Sequence, residues 1–75
     1  MKIVFSTHAL TKLKQRNIDK RLVLDTIRAP QFKRPAHQFR EERIKYFGRN
    51  WLRVVVVKEG DTFVVVTAHW IDRLR

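Results

Sequence analysis

The sequence predicts an α+β domain in which an N-terminal strand and a helical hairpin precede an antiparallel sheet of three or four strands. Two observations lead to this fold class. Apolar residues recur at helical spacing between Ser6 and Pro30, whereas extended patterns rich in β-branched and aromatic residues follow from Gln31 onward. A chain of 75 residues has room for one hydrophobic core, so residues 1–75 are expected to form a single domain. The helical pair should cover one face of the sheet.

The first half of the chain contains clear start and stop signals for two helices. A short strand over Lys2–Phe5 leads to Ser6, a good N-cap. Asn17 tolerates the left-handed conformation that ends a helix, Asp19 can cap a second helix, and Pro30 stops it. The side chains expected to face the core are Ala9, Leu10, Leu13 and Asn17 on the first helix, and Leu22, Val23, Thr26 and Ile27 on the second.

The second half of the chain reads as a series of strands. The segment around Pro35 is predicted to be a weak edge strand, since proline cannot donate to a central ladder. Stronger strands are predicted over Glu42–Phe47, Trp51–Lys58 and Thr62–Trp70, where β-branched and aromatic residues dominate. The last two strands are expected to pair as neighbours in a hairpin.

The hairpin register decides which side chains share a face. A three-residue loop, Glu59–Asp61, with Gly60 free to adopt a positive φ, would place Lys58 opposite Thr62. The apolar pairs that would then face the helices are Val56 with Val64, Val54 with Val66, and Leu52 with Ala68. The opposite, uncovered face would carry Trp51, Arg53, Val55 and Val57 beside Phe63, Val65, Thr67 and His69.

The turn over residues 48–50 leaves the facing of the preceding strand open. A three-residue loop would send Arg43 and Lys45 to the face of Arg53, whereas a two-residue loop would send Tyr46 there. Either outcome brings phosphate-binding groups to the uncovered face.

Charge and composition restrict the classes of partner. Seventeen Lys and Arg against seven Asp and Glu give a net charge of +10, which favours nucleic acid or an acidic protein as partner. No cysteine is present, and the three histidines are scattered, so we expect neither a metal site nor a cofactor. The longest apolar run, Val54 to Val57, is too short for a membrane span, and no signal peptide is apparent. The expected location is therefore cytoplasmic.

Arg53, Thr67 and His69 form the first candidate site, at one end of the uncovered face. Metal-free RNA cleavage requires a base for the 2′-hydroxyl, an acid for the leaving 5′-oxygen and cations around the phosphate. Histidine and arginine meet these requirements, and histidine titrates near neutral pH. The alternative is a structural one, in which His69 packs on Trp51 and Arg53 is merely exposed.

His8, Lys12 and Arg16 form the second candidate site, because four-residue spacing aligns them along one side of the first helix. His8 lies in the first turn, where the helix dipole disfavours a protonated imidazole and free N–H groups attract anions. The alternative is an ordinary solvated helix face.

Two further groups of residues have weaker functional signals. His37, near Pro35, is expected to lie on the surface without a catalytic role. The aromatic residues Tyr46, Phe47, Trp51 and Trp70 either stack on unpaired bases or contribute to the core.

Several of these residues together carry a family resemblance. They are Phe5 to Ala9, Lys12, Arg16, Ile18, Val23, Ile27 and Pro30, followed by Arg53 to Val56 and Val65 to Trp70. This pattern resembles the small domain-of-unknown-function family DUF4258 over nearly the whole chain. Lys12 stands where arginine is usual and Asn17 where glycine is usual; a lysine lacks the bidentate fork of arginine.

Families of this kind resemble the wider RelE and ParE-like toxin group, which implies a RelE-like fold and a metal-independent endoribonuclease of a toxin–antitoxin system. Among the catalytic candidates, we expect Arg53 to bind the phosphate and His69 or His8 to transfer protons, with RNA bound by Lys12, Arg16, Arg43, Lys45, Tyr46 and Thr67. This expectation rests on the net charge, the lack of metal ligands and the histidine and arginine at one end of the predicted sheet. RNA and an acidic antitoxin would be the partners, and apolar residues on the uncovered face, Val55, Phe63 and Val65, would form an interface or an oligomer contact. The alternatives are a non-catalytic RNA- or protein-binding regulator and a ParE-like inhibitor of a protein target.

Overall fold

The computed structural model describes residues 1–74, which form two helices and a five-stranded mixed sheet. The elements in chain order are β1 (Lys2–Phe5), α1 (Thr7–Gln15), α2 (Lys20–Arg28), β2 (Phe32–Ala36), β3 (Arg40–Tyr46), β4 (Trp51–Glu59) and β5 (Thr62–Ile71). The strand order is β1-β5-β4-β3-β2. The α+β class is confirmed, but the sheet is larger than predicted and not wholly antiparallel, because β1 joins its edge parallel to β5.

The helix boundaries follow the capping residues seen in the sequence. The hydroxyl of Ser6 accepts a hydrogen bond from the amide of Ala9 at 3.0 Å and donates to the carbonyl of Val65 at 3.2 Å. Asp19 caps α2 by accepting from the amide of Arg21 at 2.9 Å. Asn17 adopts a φ of 54°, the left-handed conformation that separates the two helices. No helix in the described part of the chain is long and apolar enough to cross a membrane.

The hydrophobic core lies between the two helices and one face of the sheet. Its buried members are Ala9, Leu13, Ile18, Val23, Ile27, Leu52, Val54, Val56, Phe63, Val65 and Ala68. Leu10 was predicted to face this core and is instead 46% exposed. A nine-residue helix buries only a narrow stripe, and Ala9 and Leu13 already fill it.

The β4–β5 hairpin differs from the predicted register. Its loop has two residues, Gly60 and Asp61, with Glu59 opposite Thr62. Of the two loop residues, Gly60 has a positive φ, of 60°, and Asp61 does not, which is typical of a type II′ turn. A β-bulge then interrupts the ladder, since Val56 pairs with Val65 while Val55 pairs with Thr67, which leaves Val66 as the extra residue.

The shorter loop reverses the predicted facing of the first half of β5, and the bulge restores it in the second half. Phe63 and Val65 were expected on the uncovered face and are buried in the core, whereas Val64 and Val66 were expected to face the helices and lie outside that core. Val55 does lie on the uncovered face, but it is only 6% exposed. The predicted exposed apolar patch of Val55, Phe63 and Val65 is therefore wrong.

The β3–β4 connection is longer than either predicted loop. It spans residues 47–50 and is closed by a hydrogen bond from the amide of Phe47 to the carbonyl of Asn50 at 3.0 Å. Tyr46 pairs with Trp51, so Tyr46 shares the uncovered face with Arg53. Arg43 and Lys45 turn to the helices, where they bind the carbonyl of Ile27 at 2.6 Å and the carboxylate of Asp25 at 2.9 Å.

The edge strand β2 confirms the interpretation of Pro35. This strand pairs only with β3 and places Pro35 opposite Glu41. The proline therefore occupies an edge strand of the sheet, which has a hydrogen-bonded neighbour on one side only. Phe32, Arg34 and Ala36 alternate with it and lie on the uncovered face.

Candidate functional site

The sheet face that the helices leave uncovered, called the open face below, brings Arg53 and His69 together. They lie directly opposite each other in the β4–β5 ladder, with Thr67 two residues before His69 on the same face. The prediction that these three side chains share a face is confirmed. The predicted neighbour of His69 was Trp51, and the two-residue loop with the bulge replaces it by Arg53.

Arg16 reaches this group from the helical layer. Because β1 ends at Phe5 opposite Val65, the outer edge of β5 is unpaired beyond that point. The Nη1 atom of Arg16, at the C-cap of α1, donates to the carbonyl of Ala68 at 2.8 Å and to the hydroxyl of Thr67 at 3.0 Å. The same atom lies 3.4 Å from Nε2 of His69.

The protonation of His69 follows from these contacts. Two donors lie beside Nε2, the guanidinium of Arg16 at 3.4 Å and the hydroxyl of Thr67 at 3.5 Å, and an unprotonated Nε2 can accept from either. Burial lowers the pKa of His69, and the positive charges of Arg16, Arg53 and Lys12 lower it further. At neutral pH the site therefore holds a neutral imidazole among cations.

Glu42 places a carboxylate at the centre of the open face. Its Oε2 accepts from Nε of Arg53 at 2.8 Å and from Nη2 at 2.5 Å, while its Oε1 accepts from Arg34 at 3.0 Å. These contacts lower the pKa of Glu42, the hydrogen bond from Arg53 contributing most. Sequence reasoning missed Glu42, because its facing depends on the β3–β4 loop and the sequence left that loop open.

A groove of about 610 Å³ runs along the open face past these residues. Its lining residues are Pro35, Ala36, His37, Arg40, Glu42, Arg53, Val55, Thr67 and His69. A second concavity shares Glu42 and Arg53 with it and extends past Arg34, Asn50 and Ile71. His37 was expected to be a surface residue without a role, yet the β2–β3 turn places it at this groove.

The sequence also matches a known family. The family model of DUF4258, a domain of unknown function, matches residues 5–70. The chain belongs to the DUF4258 family. The match extends from the end of β1 to Trp70 and so includes Arg16, Glu42, Arg53 and His69. No curated protein and no solved structure matches this DUF4258 domain.

The remaining candidate residues of this DUF4258 domain divide between two surfaces. Lys12 contributes positive charge at His69, and Thr67 lies between Arg16 and His69. His8 is exposed on α1, and no contact among the described residues joins it to the open face. Arg43 and Lys45 lie on the helix side of the sheet, so their predicted place beside Arg53 is wrong.

The aromatic residues also divide between the two faces of the sheet. Phe47 and Trp70 pack against the core and meet edge-on, with ring centroids 6.2 Å apart. Tyr46 and Trp51 lie on the open face, 5.0 Å apart, and Phe32 lies 5.7 Å from Trp51. Within residues 1–74, no three His, Asp or Glu side chains converge as metal ligands do.

Proposed function

We propose that this DUF4258 domain is a small metal-independent endoribonuclease, acting in the cytoplasm as the toxin of a toxin–antitoxin pair. The observation that carries the proposal is the meeting of Arg53 and a neutral His69 at an open groove, with Arg16 in contact with His69 from the helical layer. A guanidinium suits a phosphate, and an unprotonated imidazole suits the removal of a hydroxyl proton. The net charge of +10 attracts a polyanion to this surface.

The proposed reaction uses only side chains on the open face. Arg53 engages Glu42 through Nε and Nη2, which leaves Nη1 to donate to a phosphate oxygen. His69 takes the proton of the ribose 2′-hydroxyl, and the 2′-oxygen attacks the adjacent phosphorus. The bond to the 5′-oxygen breaks, and that oxygen takes a proton from solvent in the open groove. The products are a 2′,3′-cyclic phosphate and a free 5′-hydroxyl.

We infer that the wider relatives of this domain are the RelE and ParE-like toxins. Support for this comes from the layout, in which a helical pair covers one face of the sheet and the cationic residues lie on the other. Such a basic groove is complementary to an acidic antitoxin segment, which would compete there with RNA.

The test is RNA cleavage in the presence of a chelator by the wild type and single variants. His69→Gln and Arg53→Met are expected to lose cleavage by at least 100-fold, the usual loss on removing a general base or a charge-stabilising group. His8→Gln is the matched control, since His8 is exposed on α1 away from the groove. Intact RNA with the wild type, or equal cleavage by wild type and His69→Gln, would reject the proposal.

A second function, RNA binding without cleavage, is favoured by one observation. The lowered pKa of His69 disfavours, at neutral pH, the protonated imidazole that would act as an acid. This function predicts that affinity for RNA falls steeply with salt while the RNA stays intact. Growth arrest without RNA decay would instead indicate a protein target.

A further inference from the structure

We propose that three aromatic residues on the open face, Phe32, Tyr46 and Trp51, form a subsite that stacks an unpaired base of single-stranded RNA. This group is called the aromatic platform below. The inference rests on the proposed RNA substrate and adds to it that the substrate is single-stranded, with a base held beside the phosphate that Arg53 binds.

The platform is assembled from three neighbouring strands. Tyr46 on β3 pairs directly with Trp51 on β4, and their ring centroids lie 5.0 Å apart. Phe32 on β2 reaches the other side, 5.7 Å from the ring of Trp51. Both contacts are tilted, at 55° and 52° between ring planes, so the three rings form an angular surface. An unpaired base can stack against such a surface whatever its identity.

The two outer rings expose much of their surface. Phe32 is 45% exposed and Tyr46 is 43% exposed. Ile44, next to Phe32 in the register, lies on the open face and is fully buried although the helices cover the other face. Side chains of the open face must therefore cover Ile44, and the ring area of Phe32 and Tyr46 that is still exposed is open to a ligand.

The distance from the platform to the cationic residues suits one nucleotide. Trp51 and Arg53 are two residues apart on the same face of β4, about 7 Å along an extended strand. A nucleotide bridges a comparable distance between its base and its phosphate. Arg34, two residues beyond Phe32 on β2, adds a second guanidinium on the same side. Aromatic surface and phosphate-binding groups thus alternate as base and phosphate do along a strand of RNA.

These features favour single-stranded RNA over other occupants. Bases in an A-form duplex are stacked within the helix and cannot reach a protein ring face. An acidic peptide would satisfy the arginines but has no regular flat groups to place on the platform. The combination of exposed rings and flanking cations is typical of proteins that bind unpaired nucleic acid.

The experiment compares two matched oligoribonucleotides whose 2′-hydroxyls are methylated to prevent cleavage. One carries bases throughout and the other is abasic at every position, so they differ in stacking and not in phosphate charge. Binding of each to the full chain is measured at one salt concentration for the wild type, Trp51→Leu, Tyr46→Leu, Phe32→Leu and Phe39→Leu. Leucine keeps apolar surface but removes the ring. Phe39, which is 98% exposed in the β2–β3 turn, provides a matched control outside the platform.

The wild type is expected to prefer the base-bearing oligonucleotide by about tenfold or more. The platform variants should lose most of this preference and keep their affinity for the abasic one, and Phe39→Leu should match the wild type. Circular dichroism confirms folding, and Tyr46→Leu serves if Trp51→Leu does not fold. Equal binding of both oligonucleotides by the wild type would overturn the inference. So would platform-dependent binding of poly-glutamate without any preference for bases.

Cleavage of unmodified RNA, followed in parallel, separates this inference from the proposed function. Base preference without cleavage supports the platform and rejects the nuclease. The opposite result is that the wild type shows no base preference and all three platform variants cleave RNA at wild-type efficiency. That result rejects the platform and supports the proposed nuclease.

Discussion

The guanidinium of Arg16 lies 3.4 Å from Nε2 of His69 and at the same time donates to the hydroxyl of Thr67 at 3.0 Å. One side chain from the end of α1 thus contacts both polar side chains at this end of β5, and its positive charge helps to lower the pKa of His69. The functional state of the open face therefore depends on the helical layer, although the helices cover the other side of the sheet.

Replacing Arg16 is expected to raise the pKa of His69. Burial contributes most to the lowered pKa and Arg16 is the next largest cause, so Arg16→Met should move the pKa toward the ordinary value without restoring it fully. Titration of the His69 ring protons by NMR measures the change. Arg28→Met, at the exposed end of α2, is the control and should leave the titration of His69 unaltered.

The lowered pKa of His69 should also make stability depend on pH. The unfolded chain takes up a proton near pH 6.5, while the folded chain resists it to lower pH. Between these two pKa values the unfolded state binds more protons, so the contribution of His69 is fully present above about pH 6.5 and is lost as pH falls toward the folded pKa.

Urea unfolding of the wild type and of His69→Gln across this range measures the effect. The difference in unfolding free energy between them should shift in favour of the variant as pH falls. Glu42 loses its own contribution only as pH falls from about 4.5 toward its lowered folded pKa, and does so in both proteins. A difference that stays constant from neutral pH to below pH 6.5 would contradict the lowered pKa of His69.

Glu42 and Glu41 offer a matched pair of substitutions on opposite faces. Glu42→Gln removes the charge shared by Arg34 and Arg53, which should cost about 1 kcal/mol of stability and leave the guanidinium of Arg53 open to anions. Affinity for inorganic phosphate or RNA should rise. Glu41→Gln breaks only the pair with Arg43 on the helix side and should leave anion binding at the wild-type level. Equal gains in the two variants would show a general effect of net charge.

Much of the fold was accessible from the sequence because its signals are local. Ser6, Asn17 and Asp19 act within one or two turns of chain, and each takes the capping role its chemistry predicts. The same holds for Pro35 on an edge strand. The parallel pairing of β1 with β5 was missed because it joins residues sixty apart, with no local signal for the neighbour of a short terminal strand.

The candidate site was predicted in part, and one error offset another. The loop is one residue shorter than assumed, and the bulge adds one residue to β5, so Arg53 and His69 still share a face while Phe63 and Val65 do not join them. A bulge has little signature in a run of valines, since each valine suits either face. Glu42 was missed and Arg43 misplaced for a related reason, because a change of one residue in a loop turns a whole strand over.

Asn17 provides a final prediction about the junction on which Arg16 depends. Its φ of 54° is left-handed, and the adjacent Ile18 amide closes the turn on the carbonyl of Leu13 at 2.9 Å. Asn17→Ala should cost about 1 kcal/mol, whereas Asn17→Gly should be neutral or slightly stabilising, because glycine adopts this conformation without a steric penalty. Lys14→Ala, in the exposed helical part of α1, is the control and should not destabilise. Chemical unfolding measures the stability of all three variants. If Asn17→Ala proves as stable as Lys14→Ala, the backbone conformation of residue 17 does not limit the stability of the turn next to Arg16.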